Sequence, residues 1–512
     1  MGEGSVAMKP WLKTSVILSV ILVISFALVS AKRGCENTAS LGEFTDYLDE
    51  RIPALMADYG IPGVNIALIQ KGQTKWSKAY GYADLETERK MTTDTYCRVE
   101  SLSKSVTAWG VMKLVEEGQI ELDKPVIQYL KNWRFPESHF SEEKVTVRQL
   151  LTHTAGMPLG DFLDRYSPQE EMPSMRESLS KNARLIQEPG VAFSYSNTGY
   201  NLLELLIEEV TGLDFAEYME NEVLIPLGMY KSSYNWSEMF DPPVPVGYDL
   251  KGTPIPVYVY PEKASGGLFA PLEDIATFVA AGMTNGFRTD HEVLNDQSIN
   301  MLYSPMAEKI GVYGLVFDSY GMGYYIETLS DGKRSVANGG QGAGVMTYFQ
   351  AIPETGDGIV ILTNSQRSWP FFGQILSDWS KSNGFASVGF GKIIVAQKAL
   401  WVIVGLVFVI SLWQVLRLVQ GLMTGRRWFA PLSKGSRYFS LVQSSFAVIL
   451  LSGLLWSVNQ DYLFISSVFP IASGWLGLAT LLFAVVLLLS GLFPDKKEQN
   501  SASCITRDDT VL

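Results

Sequence analysis

The stretch Ser101-Leu102-Ser103-Lys104 places a hydroxyl and an amine three residues apart, immediately before an apolar run. If that run is helical, Ser101 and Lys104 lie one turn apart on the same face of the helix. A serine hydroxyl is a weak nucleophile at neutral pH and needs a base within hydrogen-bond distance. A lysine whose pKa is lowered by burial can be that base. The same four residues recur at 178–181, so the motif alone does not identify the nucleophile.

A second stretch supplies the partners that such a nucleophile needs. Tyr195 and Asn197 are two residues apart, so in an extended loop both side chains point to the same side. A tyrosine beside a lysine ammonium can be held partly ionised and can pass a proton to a leaving group. An asparagine amide can hydrogen-bond both the lysine and a substrate amide. Tyr195 lies 94 residues after Ser101 but only 17 after the second motif's serine, and the longer separation leaves room for a separate helical region facing Lys104.

Other catalytic groups are poorly represented. The three histidines, His139, His153 and His291, lie outside any Gly-x-Ser-x-Gly context and form no pair typical of catalytic zinc. A Ser-His-Asp triad assembled in space stays open, but nothing local supports it. We expect no metal and no organic cofactor, and we interpret His153 as a structural residue. The net charge of −12, with no basic stripe in the middle of the chain, indicates that nucleic acid is not a partner.

Apolar segments at both ends of the chain predict a membrane protein. Residues 1–31 carry lysines ahead of an apolar run that ends in small residues, which is typical of a signal peptide or a retained N-terminal anchor. Three further apolar stretches, at about 399–416, 439–458 and 463–493, can each span a bilayer, which takes roughly 20 residues. The loop between the first two is rich in arginine and lysine, so the positive-inside rule places it in the cytoplasm.

These segments define the predicted organisation of the chain. We expect an extracytoplasmic catalytic domain at residues 34–390, three transmembrane helices at 391–495 and a cytoplasmic tail at 496–512. The protein is then a multi-pass protein of the cell membrane, with the lipid bilayer as a partner.

The catalytic domain is predicted to be α+β. Helical periodicity covers residues 201–211, and the region at 132–189 is rich in loops. Strand-like stretches open and close the domain, at residues 63–69, 76–83, 344–349 and 358–363. We therefore expect an antiparallel sheet built from both ends of the domain, with helices between them.

Taken in order, these motifs resemble the serine β-lactamase and penicillin-binding-protein superfamily. The tyrosine in the second motif is similar to that of class C β-lactamases and of related esterases and D-aminopeptidases. Three further stretches resemble the same group, at residues 150–158, 195–200 and 264–268. The resemblance covers about residues 46–364 and implies an antiparallel sheet flanked by helices, together with an all-helical region.

The third motif departs from the family pattern. Relatives carry Lys-Thr-Gly or His-x-Gly on the strand beside the site, and this chain has Asn338-Gly339-Gly340-Gln341. The resemblance implies that the backbone N–H groups of Ser101 and Gln341 form the oxyanion hole, with Asn338 and Gly340 beside the substrate. A basic residue that helps to hold a substrate carboxylate in many relatives is missing, and one such contact is worth about 1.5–3 kcal/mol. A β-lactam or D-Ala-D-Ala substrate is therefore disfavoured.

The predicted activity is hydrolysis of amide or ester bonds outside the cytoplasm. Ser101 attacks the carbonyl, Lys104 takes its proton, and Tyr195 passes a proton to the leaving group. We expect a small peptide-like or ester substrate, with D-amino-acid substrates included. The same domain layout is found in peptidases that trim an acyl-D-asparagine leader from a natural-product precursor and resembles that of penicillin-binding-like proteins acting on teichoic-acid esters. A catalytically silent binding or regulatory protein is the alternative.

Overall fold

The computed structural model describes residues 40–160, 164–284, 286–287, 293–430, 437–460 and 463–494. The chain divides into two compact units, the first at Cys35–Lys392 and the second containing Ile393–Leu512. The predicted signal peptide or anchor and the predicted cytoplasmic tail both lie outside the described residues.

An antiparallel sheet of eight strands forms the centre of the first unit. The strands along the chain are β1 Gly63–Gln70, β2 Gln73–Asp84, β3 Arg89–Lys90, β4 Cys97–Arg98, β5 Gly247–Tyr248, β6 Pro254–Ile255, β7 Phe269–Ala270, β8 Ser319–Tyr320, β9 Tyr325–Thr328, β10 Arg334–Gly342, β11 Val345–Ile352 and β12 Asp357–Thr363. The sheet order is β3-β2-β1-β12-β11-β10-β9-β8. The first long strand therefore pairs with the last, with Val64 opposite Thr363, and the prediction of a sheet built from both ends is confirmed.

Helices surround this sheet and form a second, helical region. They are α1 Leu41–Tyr59, α2 Ser103–Glu116, α3 Val147–Leu151, α4 Met175–Asn182, α5 Asn197–Thr211, α6 Phe215–Met219, α7 Ile225–Leu227, α8 Leu272–Ala281, α9 Asp296–Leu302 and α10 Trp369–Ser382. The α+β prediction is confirmed, with two differences in detail. The region at 132–189 contains α3 and α4, and α5 begins at Asn197 because the Ser196 hydroxyl caps it by accepting from the Gly199 N–H.

Helix α2 runs through the apolar core of the helical region. Its side chains are buried almost throughout, and Trp109 is fully enclosed, with its indole N–H donating to the Tyr324 hydroxyl at 2.9 Å. A helix buried on all sides holds its first turn rigidly. The turn that precedes α2 carries Ser101, so the nucleophile candidate stands on a fixed support.

Helix α11 Lys392–Met423 begins at the last residue of the first unit and otherwise belongs to the second, which also contains α12 Arg437–Val458, α13 Phe464–Val468 and α14 Pro470–Leu492. Among the residues that the structure describes, three helices are long and apolar enough to cross a membrane, at Gly389–Met423, Ser440–Val458 and Pro470–Leu492. They coincide with the three apolar stretches of the sequence. Pro470 occupies the first turn of α14, where its missing N–H costs nothing.

Candidate active site

The nucleophile candidate lies on a short 3₁₀ turn, Glu100–Leu102, that leads directly into α2. Ser101 is partly exposed, whereas Lys104 is fully buried. The Lys104 Nζ lies 3.0 Å from the Ser101 Oγ and 2.7 Å from the Ser265 carbonyl oxygen. The predicted pairing of hydroxyl and amine one turn apart is therefore present in the structure.

Burial makes Lys104 suitable as a base. Loss of hydration lowers the pKa of its amine to about 7, against a smaller effect of the Glu100 carboxylate in the opposite direction. An ordinary lysine is almost completely protonated at neutral pH and cannot accept a proton. Here a large fraction of Lys104 is neutral at pH 7, so its lone pair can take the Ser101 proton.

Tyr195 faces both of these residues. The Lys104 Nζ lies 5.1 Å from the centroid of the Tyr195 ring, and the Ser101 side chain is one of the groups that influence the pKa of the Tyr195 hydroxyl. Burial raises the pKa of Tyr195, and the neighbouring Tyr313 adds to the increase. The raised pKa of Tyr195 does not favour the partial ionisation that was expected from the neighbouring Lys104. Tyr195 stands beside Ser101 as a neutral phenol that can both donate and accept a proton.

The His153 ring packs against the Tyr195 ring. Its ring centroid lies 4.3 Å from that of Tyr195, and its Nδ1 accepts from the Ser196 N–H at 3.1 Å. The residue is 1% exposed, and burial together with Lys104 holds its pKa well below the usual range. A neutral imidazole that packs against the tyrosine fits the structural role expected of it.

Asn197 is the first residue of α5, two positions after Tyr195, and its backbone N–H donates to the Leu159 carbonyl at 2.9 Å. Its Oδ1 atom is buried and has no hydrogen-bond partner among the residues that the structure describes. The bond to Lys104 that the sequence suggested is not made in this structure, since the lysine donates to Ser101 and Ser265.

Strand β10 lies beside the turn that carries Ser101. Within the described residues, β9 pairs with β10 only as far as Ala337, and the turn at residues 100–102 packs beside the remainder. A Cβ atom on Gly340 would lie 2.2 Å from the Val99 carbonyl oxygen, so only glycine permits this approach. Gln341 follows, and its Oε1 accepts from the Trp369 indole at 3.2 Å.

Asn338 differs from the expectation of a substrate contact. Its side chain is 1% exposed, and its Nδ2 donates to the Ser105 hydroxyl at 2.8 Å and to the Gly323 and Ser101 carbonyl oxygens at 3.1 and 3.3 Å. The amide therefore points behind the strand, toward α2. The Asn338 amide links β10 to the turn that carries Ser101, because this face of the strand lies against the carbonyl groups of Ser101 and Gly323.

The second Ser-x-x-Lys motif has a different environment. Ser178, on α4, donates to the Glu262 carboxylate, and Lys181 is largely exposed and lies 3.4 Å from Asp164. The serine hydroxyl therefore faces an acid, and the lysine is exposed to solvent, unlike the buried Lys104. These contacts support the assignment of Ser101 and Lys104 as the reactive pair.

Two residues that hold the Lys104 side chain or its neighbouring segment in place, Ser265 and Glu204, were not predicted from the sequence. Ser265 fixes the Lys104 amine through its backbone carbonyl, and buried Glu204 holds the preceding segment by accepting from the N–H groups of Lys263 and Ala264 at 2.6 and 2.8 Å. The sequence indicated residues 264–268 only through their resemblance to the superfamily. Any residue type can supply a backbone carbonyl, so the contact of Ser265 with Lys104 could not be predicted from the sequence.

The chain is similar in sequence and in structure to known proteins. Residues 48–375 match the family model described as beta-lactamase. Protein flp of Staphylococcus aureus (strain COL) is 25% identical over 315 residues, which are 59% of this chain and 60% of that protein, so the chain spans about 60% of the length of this relative. Penicillin-binding protein 4 of Amycolatopsis lactamdurans is 25% identical over 331 residues, or 63% of this chain and 86% of that protein. The octameric penicillin-binding protein homologue from Pyrococcus abyssi superposes with a TM-score of 0.55 and 27% identity, covering 70% of this chain and 82% of that one.

Proposed function

Because this chain belongs to the beta-lactamase family, we propose that it is a membrane-anchored serine hydrolase that forms an acyl-enzyme at Ser101. The observation that carries the proposal is the 3.0 Å approach of the Lys104 amine to the Ser101 hydroxyl. That amine has its pKa lowered to about 7, which is suited to proton transfer at neutral pH.

The proposed reaction has two halves. Neutral Lys104 accepts the Ser101 proton while the oxygen attacks the substrate carbonyl, and the negative charge forms on the carbonyl oxygen between the N–H groups of Ser101 and Gln341. The carbonyl carbon then loses its leaving group, which receives a proton through the Tyr195 hydroxyl. A water molecule attacks the ester on Ser101 and restores the enzyme, with the same residues moving protons in reverse.

The substrate is proposed to be a small peptide-like or D-amino-acid compound with an amide or ester bond, located outside the cytoplasm. Three helices capable of crossing a membrane support an anchored enzyme.

The test is covalent labelling of the full chain in detergent with a fluorophosphonate probe and with labelled penicillin. We expect the fluorophosphonate to modify Ser101, identified by peptide mass spectrometry. A panel of D-amino-acid amides, acyl-D-asparaginyl peptides and D-alanyl esters then separates the substrate classes. A folded protein that forms no adduct at Ser101 with either probe would contradict the proposal and favour the silent binding protein.

Replacing Tyr195 with phenylalanine is expected to slow turnover of an amide substrate by about 10²- to 10⁴-fold, because the leaving nitrogen loses its proton donor. Esters whose leaving groups are already acidic need less protonation and should be affected less. The measurement is kcat for a matched amide and ester pair in both proteins. Equal losses on the two substrates would contradict the proton-transfer role.

A further inference from the structure

A short 3₁₀ helix, Gly311–Leu315, packs against the proposed proton donor. The ring centroid of Tyr313, in the middle of this helix, lies 5.7 Å from that of Tyr195 and 6.2 Å from that of Phe193. It also lies 5.2 Å from the ring centroid of Tyr325 on β9. These ring contacts hold the 3₁₀ helix beside Tyr195.

Other residues of the same helix are apolar but not buried. Val312 is 48% exposed and Leu315 is 67% exposed. Residues three apart eclipse one another on a 3₁₀ helix, so these two side chains share one face. Residues 310–317 carry no charge, and the charged residues next to them along the chain are Lys309 and Asp318. The helix therefore presents an uncharged, apolar face to solvent.

A further exposed apolar residue lies on a second segment that contacts the Tyr195 loop. The Leu159 carbonyl accepts from the Asn197 N–H at 2.9 Å, two residues after Tyr195, and the Leu159 side chain is 43% exposed. A single exposed leucine is ordinary on a protein surface, whereas several around one reactive group are typical of a ligand site. We call Leu159, Val312 and Leu315 the apolar rim.

The site lacks the group with which many relatives hold a charged part of the substrate. A basic residue of these relatives is replaced by Asn338, whose side chain carries no charge. The Asn338 amide also points away from the substrate, because it donates to Ser105 and Gly323. A carboxylate bound beside the apolar rim would lose hydration without gaining a counter-charge from this position, which is costly.

We infer that the apolar rim binds the leaving group of the substrate, and that this leaving group is an alkyl or aryl amine or alcohol without a carboxylate. The inference rests on the proposed hydrolase function, in which the leaving group receives its proton from Tyr195 and must therefore lie beside that residue. The rim belongs to the two segments that contact the same part of the chain. Contact between the rim and an apolar leaving group removes both surfaces from water.

The test is labelling of Ser101 by two aryl phosphonates that share one phosphonyl group and release different phenols, para-tert-butylphenol or para-hydroxybenzoate. In both reactions the Ser101 oxygen forms a bond to phosphorus and its proton goes to Lys104. The bond from phosphorus to the phenol oxygen breaks, its electron pair stays on that oxygen, and Tyr195 supplies the proton. The ratio of the two second-order rate constants measures the preference for the apolar leaving group.

We expect the double variant Val312→Ser with Leu315→Ser to lower this ratio by about fivefold or more, measured on the full chain in detergent. The intrinsic reactivity of each probe cancels when the ratio is compared between proteins. Leu159→Ser changes the other segment of the rim and should lower the ratio in the same direction. Met239→Ser is the matched control, because it removes an exposed apolar side chain from a segment where the neighbouring Phe240 stacks on Tyr96. The control should leave the ratio unchanged.

Three results would overturn the inference. The first is an unchanged ratio in the folded double variant and in Leu159→Ser. The second is an equal loss of rate with both aryl phosphonates, which would assign the rim to contact with detergent or lipid, or to packing of Tyr195. The third is labelling by the fluorophosphonate but by neither aryl phosphonate, since the rim would then accept neither phenol. A folded wild-type protein that none of the three probes labels would instead refute the proposed function itself.

Discussion

Alanine at Ser101 is expected to abolish covalent labelling and to lower the hydrolysis rate by about 10⁴-fold or more, because no other group can form the acyl-enzyme. Ser101 is partly exposed beside a buried amine, so its hydroxyl is both accessible and activated. The measurement is the labelled fraction and kcat of the full chain in detergent.

The chain supplies a matched control for this variant. Ser178→Ala makes the same substitution in the second copy of the motif, where the hydroxyl donates to Glu262. We expect labelling to be unchanged in that variant. Loss of labelling in Ser178→Ala with retention in Ser101→Ala would mean that the nucleophile has been assigned to the wrong motif.

Methionine at Lys104 is expected to lower the labelling rate by about 10³-fold or more, because the serine loses its base and the substituted side chain cannot accept a proton. In the wild-type protein the rate should rise with pH through about 7, as the Lys104 amine loses its proton. In Lys104→Met the labelling rate should not show this rise with pH. Labelling that is equally fast in Lys104→Met would exclude the lysine as the base.

The same substitution should stabilise the fold at neutral pH. The pKa of Lys104 is about 7 in the folded protein and about 10.4 in an unfolded chain. Between these values the unfolded chain binds more protons, so the wild-type protein loses stability as the pH falls from about 10.4 to about 7. Methionine removes this cost, and we expect the free energy of unfolding at pH 7 to rise by about 1 kcal/mol or more after the lost hydrogen bonds are counted.

Denaturant unfolding of the detergent-solubilised chain at pH 7 and pH 10 measures this effect. The gain should shrink at the higher pH, where the wild-type lysine is neutral in the folded protein and only part of the proton binding on unfolding remains. Lys181→Met is the matched control, because Lys181 is largely exposed and its replacement should change stability by less than about 0.5 kcal/mol. A Lys104→Met protein that is less stable than the wild type at pH 7 would contradict the prediction.

Local patterns predicted much of the fold. The hairpin of β1 and β2 follows from two strand-like runs around the turn at Gly72, which has φ 70°. Helix α5 follows from its apolar periodicity and from Gly212, whose φ of 75° ends the helix. The start of α5 was misplaced by four residues, because the capping serine lies within the catalytic motif and was interpreted as part of a loop.

Contacts between distant segments were harder to predict. The Ser265 carbonyl that holds Lys104 lies 161 residues further along the chain. The contacts of the buried Glu100 with Tyr258, Tyr260 and β10 form only after folding, so the sequence did not indicate them. Asn338 was expected to face the substrate, yet the direction of its side chain depends on which face of β10 meets α2.

The sequence by itself determined the residue types of the site, the α+β class and the three apolar segments, because these depend on local periodicity and on spacing along the chain. It also contained the four-residue motif twice and could separate the copies only by their distance to Tyr195. The tertiary structure placed Lys104 where it is fully buried and left Lys181 in solvent. Hydration decides whether a lysine amine is a base or a permanent cation at neutral pH, and hydration is a property of the packed fold.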